Sequence, residues 1–431
     1  MKQLYTLLFM ILAPLLWVRL QLKGRKLQGY REHIGERFGL YLDAPATVST
    51  LWIHAVSVGE CEAAFPLVKR LLITHPGVPI VMTMATPTGR QRVTSVLGSH
   101  VRLVYLPYDI PMVVERFLHH YRPALGWVME TEIWPNLFDA CQRQGIPLLI
   151  LNGRLSEKSA LGYERLRSVI SKSLQSVNLI LAQTSLDAER YGRLGAIPVT
   201  VKVMGNIKFD NDFDEEMVFK SQQLRSQFIG DRPVWIVGSS HFGEEELCLD
   251  AFQYLRLRVP DALLILVPRH PERSGEVRKL CEARGFEVMT RSAQQNIPLT
   301  TPIFIIDGVG ELRLFYGAAD VATVGGSLVP HGGQNPLEPL AAGIPVTFGP
   351  YMMNFKDIAQ QIVIEGAGRQ VKNWEDLGRV VADFLEHPLT RADAALKGSH
   401  YLMANRGSLD RLQEAVNPWL ERCFPVEKTL H

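Results

Sequence analysis

Residues 51–72 read LWIHAVSVGECEAAFPLVKRLL. Leu51–Ser57 is a short, nearly continuous apolar run, the form taken by a strand covered on both faces of a parallel sheet. Val58 and Gly59 lead into a turn, and Cys61–Leu72 then places apolar residues at helical spacing. A strand, a Gly-containing turn and a helix are the opening of a βαβ unit. The same alternation extends outward. Further strands are expected at Pro79–Thr83, Val101–Leu106, Leu125–Met129, Pro147–Leu151, Leu179–Ala182 and Val199–Met204, with helical patterns between them such as Tyr163–Leu174. The alternation lapses from Phe209 to Arg232, where Asp210, Asp212, Asp214, Glu215 and Glu216 open a polar stretch that reads as a linker. It resumes with strands at Val234–Val237, Leu263–Val267, Glu287–Thr290, Ile303–Asp307, Val321–Val324 and Pro345–Phe348, and Trp374–Glu421 reads almost wholly as helix. Two consecutive α/β halves follow, each a doubly wound parallel sheet. Such halves place a cleft between them, with ligands at the carboxyl ends of the strands.

The length of 431 residues agrees with two domains. Hydrophobic residues at 47% and charged residues at 21% supply two sizeable cores. The 46 basic and 44 acidic side chains leave a net charge of +2, which excludes the large basic excess of a nucleic-acid binder. Five cysteines, Cys61, Cys141, Cys248, Cys281 and Cys423, form no CxxC pair, so neither a disulfide framework nor a zinc site is expected. A reducing cytoplasmic setting fits.

Leu4–Val18 is an uncharged apolar run interrupted by Tyr5, Thr6 and Pro14, and Arg19, Lys23, Arg25 and Lys26 follow it. A signal peptide would carry its charge before the apolar stretch and a small-residue cleavage site after it. Here the charge follows, which keeps the body on the cytoplasmic side. The run is short against the roughly 20 residues of a full crossing, so a short span and an embedded anchor both fit. Arg31 and Arg37 continue the basic character, as suits a segment resting on anionic headgroups.

The chemistry-bearing residues fall just after the expected strands. In His54–Glu60, Glu60 follows a Gly at a helix start; a carboxylate there suits a general base, and equally suits the positive end of a helix. In Trp127–Asn136, Glu130 and Glu132 follow an apolar strand, one expected to face the cleft and the other outward; acidic residues at a helix start read the same way. Gly205–Phe209 carries Lys208, an ammonium able to hold a phosphate or steady a developing anion, or a plain surface Lys. Gly238–Glu246 opens a helix with small residues whose free N–H groups can accept an anion. It is neither GxGxxG nor a Walker sequence, so nicotinamide and ATP chemistry lack support. Val267–Arg273 and Gly308–Glu311 follow. Gly325–Pro339 holds two Gly-Gly pairs that permit close backbone approach, then Pro336 at a helix start with Glu338 in its first turn, suited to a ribose diol. His241, His270 and His331 are too scattered in sequence to argue for a metal.

Taken in order and spacing, these motifs resemble the 3-deoxy-D-manno-octulosonic acid (Kdo) transferases of lipopolysaccharide (lipid A–core) biosynthesis. The match runs from the apolar N-terminus through His54–Glu60, Met129–Asn136, Gly205–Phe209, Pro268–His270, Gly325–Glu338 and Gly349–Pro350. The resemblance implies a GT-B fold of two Rossmann-like domains facing a cleft, with an N-terminal membrane anchor helix. The expected parts are an anchor over 1–26, an acceptor-binding domain over 27–210, a linker over 211–232, a CMP-sugar-binding domain over 233–405, and a last helix over 406–431 packing back toward the first domain. It implies an inverting transfer of Kdo from CMP-Kdo to the tetraacylated lipid A precursor (lipid IVA) at the cytoplasmic face of the inner membrane, with no cofactor, no metal and no nucleic acid. Glu60 is implied as proton acceptor, and Glu130 and Lys208 as transition-state supports. Pro268, Arg269, Val309, Gly310, Glu311, Asn335, Pro336, Leu337 and Glu338 are implied to hold the cytidine nucleotide. Another enzyme on the same scaffold, such as a UDP-sugar epimerase, and a membrane-bound nucleotide sensor are the competing readings.

Overall fold

The computed structural model describes residues 2–25, 28–210, 213–293, 297–298 and 300–425. Lys26 of the basic cluster, Asn211 and Asp212 of the expected linker, and 426–431 of the expected last helix lie outside the described residues.

The chain forms two compact units, one from residues up to Asp210 together with those from Gly407 onward, the other from Asn211 to Arg406. The first unit holds seven strands: β1 (Thr50–His54), β2 (Ile80–Met84), β3 (Arg102–Tyr105), β4 (Pro123–Met129), β5 (Leu148–Gly153), β6 (Leu179–Ala182) and β7 (Val201–Val203). They pair in parallel in the order β3-β2-β1-β4-β5-β6-β7. The period of two sorts their side chains onto two cores. Leu51, Ile53, Leu149 and Leu151 enter one, while Trp52, Leu148 and Ile150 enter the other. Helices cover both faces, which is why the strands read as unbroken apolar runs. The helix Ser408–Cys423 places Leu409, Leu412, Val416 and Leu420 in the first of these cores. Its start is tied down by the Asp210 carboxylate, which accepts from the N–H groups of Gly407 and Leu409, each at 2.6 Å.

The second unit holds β8 (Val234–Ser240), β9 (Leu263–Pro268), β10 (Val288–Thr290), β11 (Ile303–Ile305), β12 (Val321–Val324), β13 (Val346–Phe348) and β14 (Gly368–Gln370), parallel in the order β10-β11-β9-β8-β12-β13-β14. In both sheets the strand order reverses beside the first strand, at β1/β4 and at β8/β12. Ligands of doubly wound sheets collect at that reversal.

Two local readings need correction. The stretch 211–232 carries a helix, Glu215–Leu224, continued by a wider turn through Ile229. Leu224 and Ile229 enter a core of the second unit, and the Arg225 guanidinium donates to the carbonyls of Gly230, Ala318 and Arg232. The expected helix Tyr163–Leu174 is two helices, Glu157–Glu164 and Arg167–Gln175, parted where Leu166 leaves helical dihedrals. Trp374–Glu421 is almost wholly helix as expected, in three helices broken at Pro388 and at Gly407, whose φ of +81° no continuing helix residue adopts. At the other end, Lys2–Lys23 forms one helix of 22 residues, and among the described residues it is the one helix long and apolar enough to cross a membrane.

Candidate active site

In the first unit, β1 ends at His54 and the following helix starts at Val58, placing Glu60 in its first turn. The Glu60 side chain folds back over the turn. Its Oε2 accepts from the Val56 N–H, and its Oε1 from the Ser57 hydroxyl at 3.4 Å. Burial pushes the carboxyl pKa up to about 7; the Val56 N–H opposes the shift and the negative charge of Glu130 adds to it. A carboxyl poised near neutrality is matched to proton transfer at physiological pH. Beneath it, His54 is wholly buried, with Nδ1 2.8 Å from the Thr83 hydroxyl, and burial lowers its pKa to about 4. It is a neutral, fixed part of the strand.

Glu130 is the first residue after β4 and sits in the left-handed region, φ +55°. Such a conformation costs a non-glycine residue on the order of 1–3 kcal/mol and persists where its surroundings dictate it. Three contacts do so here. Its N–H donates to the Leu151 carbonyl at 2.9 Å, its carbonyl accepts from the Tyr191 hydroxyl at 3.1 Å, and its Oε1 lies 2.9 Å from Lys208 Nζ. The Glu130–Lys208 pair is 16% exposed on each side. Lys208 stands on the short turn Ile207–Phe209, pinned by Asn152 Oδ1, which accepts from the Ile207 N–H at 3.2 Å, and by Asn206 Oδ1, which accepts from the Lys208 N–H at 3.0 Å. Asn152, at the end of β5, is also left-handed, φ +53°.

The expectation that one of Glu130 and Glu132 faces outward does not hold. The strand stops at Met129, so strand alternation no longer governs the two acids, and both lie within the field of Glu60. Burial first, and then the charge of Glu60, push Glu132 up to about 8. Sequence reasoning gave Glu132 no role of its own. Three carboxyls and one ammonium thus gather beyond the ends of β1, β4 and β7.

In the second unit, Pro268 ends β9 and Arg269 follows it, exposed, with its N–H donating to the Ser240 carbonyl at 2.9 Å. The three histidines expected to be scattered come together. His241 stacks on His331 with centroids 4.3 Å apart and meets His270 edge-on at 6.2 Å, while the Gln334 amide lies 3.1 Å from His241 Nε2. Burial, then His331, His270, Arg269 and Arg273, lower the His241 pKa to about 4. Burial and neighbouring cations thus keep His241 neutral in a region that disfavours further positive charge.

The amides expected to be free for a phosphate are partly taken. The Glu244 carboxylate, 0% exposed, accepts from the N–H groups of His241, Gly326, Ser327 and Leu328 at 2.6–3.0 Å. The close approach at Gly325 is also internal, since a Cβ there would lie 2.1 Å from the Ser239 carbonyl oxygen. Further along, Asn335 Oδ1 accepts from the Leu337 N–H at 3.1 Å and its amide donates to Glu338 Oε1 at 3.3 Å, with Pro336 between them at the start of the short helix Leu337–Ala341. In the loop after β11, Glu311 pairs with Arg291 at 3.0 Å, Gly310 has φ +88°, and Val309 is 86% exposed. Among the described residues no group of three His, Cys, Asp or Glu is arranged to hold a metal ion.

Residues 32–211 match the family described as 3-Deoxy-D-manno-octulosonic-acid transferase (kdotransferase). A 3-deoxy-D-manno-octulosonic acid transferase of Haemophilus influenzae is 39% identical over 97% of this chain and 98% of its own length. One from Bordetella pertussis is 34% identical over 96% and 99%. Among solved structures, the UDP-GlcNAc 2-epimerase of Neisseria meningitidis aligns with a TM-score of 0.55 over 87% of this chain and all of its own, at 13% identity, a likeness of fold alone. The chain belongs to the Kdo transferases, glycosyltransferases of lipopolysaccharide biosynthesis with the GT-B architecture.

Proposed function

We propose that this transferase moves Kdo from CMP-Kdo onto the tetraacylated lipid A precursor, with inversion at the anomeric carbon, at the cytoplasmic face of the inner membrane. The first unit handles the acceptor and the second the cytidine nucleotide. Glu60 removes the proton from an acceptor hydroxyl as its oxygen attacks the anomeric carbon. The bond from that carbon to the phosphate oxygen breaks, and CMP leaves with the electron pair. Phosphate is a good leaving group, so one base suffices and no strong general acid is needed. The observation that carries this reading is the Glu60 carboxyl, raised to about 7 beside a fixed Glu130–Lys208 pair. Lys208 and Glu130 steady the charge that develops in the transition state. Pro268, Arg269, Val309–Glu311 and Asn335–Glu338 hold the nucleotide, with Arg269 and Lys208 as candidate partners for the Kdo carboxylate.

The test is to mix the protein with CMP-Kdo and lipid A precursor and to follow CMP release and the mass of the lipid. Stoichiometric CMP and Kdo-lipid are expected. No CMP release rejects the transfer, and release without a heavier lipid rejects the acceptor. Thermal stabilisation by UDP but not by CMP would reject the donor.

A further inference from the structure

The helix Lys2–Lys23 spans about 32 Å at about 1.5 Å per residue, enough for the hydrocarbon core of a bilayer. A helix that crosses must carry its far end to the opposite surface. Here both ends rest on the first unit. At the start, Lys2 pairs with Asp139 at 2.5 Å, the Thr6 hydroxyl donates to Asn136 Oδ1 at 3.0 Å, and the Phe9 ring meets Trp134 edge-on at 6.5 Å. At the other end, Leu20 is buried, the Gln21 carbonyl accepts from the Arg31 guanidinium at 3.2 Å, and the Lys23 ammonium lies 5.1 Å over the Tyr30 ring.

The outward face is apolar as well. Leu4, Leu8, Ile11, Leu15, Val18 and Leu22 recur at helical spacing and are 45–63% exposed. Exposed Arg19, Lys23 and Arg25 stand at the C-terminal end of this stripe. Membrane-surface helices ordinarily pair one apolar face with a charged one. This helix lacks the charged face because protein covers that side.

We infer that the N-terminal helix lies in the plane of the bilayer, clamped along the first unit, with its outward stripe sunk into one leaflet whose anionic headgroups meet Arg19, Lys23 and Arg25. The occupant of the exposed face is therefore a single lipid leaflet, and the helix does not cross it. The clamp uses Trp134 and Asn136, close in the chain to Glu132, so the same segment that carries an active-site acid fixes the height of the unit above the lipid. The inference rests on the proposed membrane attachment.

Nitroxide labels on single cysteines replacing Leu4, Ile11 and Val18, in a Cys423→Ser background of the full chain, test it. These positions are exposed, so labelling leaves the fold intact. In vesicles of phosphatidylglycerol and phosphatidylethanolamine, the three labels are expected at one shallow depth, with a label at Thr6 shielded from lipid. A crossing helix would place Ile11 about 10 Å deeper than Leu4 and Val18, which overturns the in-plane arrangement while leaving attachment standing. Labels accessible only to a water-soluble relaxant would overturn attachment itself. A Leu8→Asp/Leu15→Asp variant should release the protein from the same vesicles at least tenfold with its melting temperature unchanged.

Discussion

Each unit carries a Gly-Glu step shortly after its first strand, Gly59-Glu60 after β1 and Gly243-Glu244 after β8, and the two carboxylates meet opposite fates. The surroundings are closely matched: each first strand contains a buried Trp whose indole donates at 2.8 Å to a Thr on a neighbouring strand, Trp52 to Thr83 and Trp235 to Thr323. Glu244 reaches across the reversal point and is saturated by four backbone N–H groups, three of them from Gly326 to Leu328. Its lone pairs are committed, so it can hold a loop but cannot take a proton from a substrate. Glu60 has the Val56 N–H and the weaker approach of the Ser57 N–H and hydroxyl, with further carboxyls nearby. Burial raises the pKa of both acids; what differs is the number of donors, and under the proposed mechanism the saturated Glu244 is structural and the less saturated Glu60 is the base.

The widest separation is expected from Glu60→Gln, which should keep CMP-Kdo binding and lose about 10²–10⁴ in turnover with melting temperature unchanged or raised. Near wild-type turnover would break the comparison. Lys208→Met should lose about 10²–10³ in turnover, because Glu130 is left half-buried without its ammonium and a transition-state donor is gone. Steady-state rates set against circular dichroism separate this from unfolding. Glu244→Gln should show the converse of Glu60→Gln. Turning two acceptor positions into donors strands N–H groups at about 1–3 kcal/mol each, and calorimetry should find a melting temperature lower by roughly 5–15 °C. The smallest effect belongs to Glu132→Gln. Glu132, pushed up to about 8, is still mainly protonated where Glu60 titrates near 7, so its replacement should leave the Glu60 midpoint almost unmoved. Glu132 also has a folded pKa raised above its unfolded value, so it favours the fold at low pH and loses that contribution as pH rises toward 8. Its replacement should flatten the decline of melting temperature between pH 5 and 9.

The strands were legible because a strand covered on both faces must be apolar throughout, as in β1 and β9. β14 was not, since Gly368, Arg369 and Gln370 form an edge strand of three residues with little apolar content. The helix Glu215–Leu224 was hidden for a related reason, burying only Ser221 and Leu224 of its own length. Glu60, Glu130 and Lys208 stand out in the sequence because they follow apolar runs, but the residues alone suit helix-start acids and a surface Lys as well, and their roles come only from the resemblance. The role of Glu244 could not be read, because three of its four partners lie more than eighty residues away in sequence. The histidine cluster was missed for the same reason, joining the loops after β8, β9 and β12.

The central claim is that the Glu60 carboxylate is the base, and the pH dependence of single-turnover Kdo transfer tests it most directly. The wild-type rate should rise through a single ionisation near pH 7, the value to which burial lifts Glu60, and the Glu60→Gln variant should be slow and flat across that range. A variant that keeps the same rising limb would assign the proton acceptor to another group.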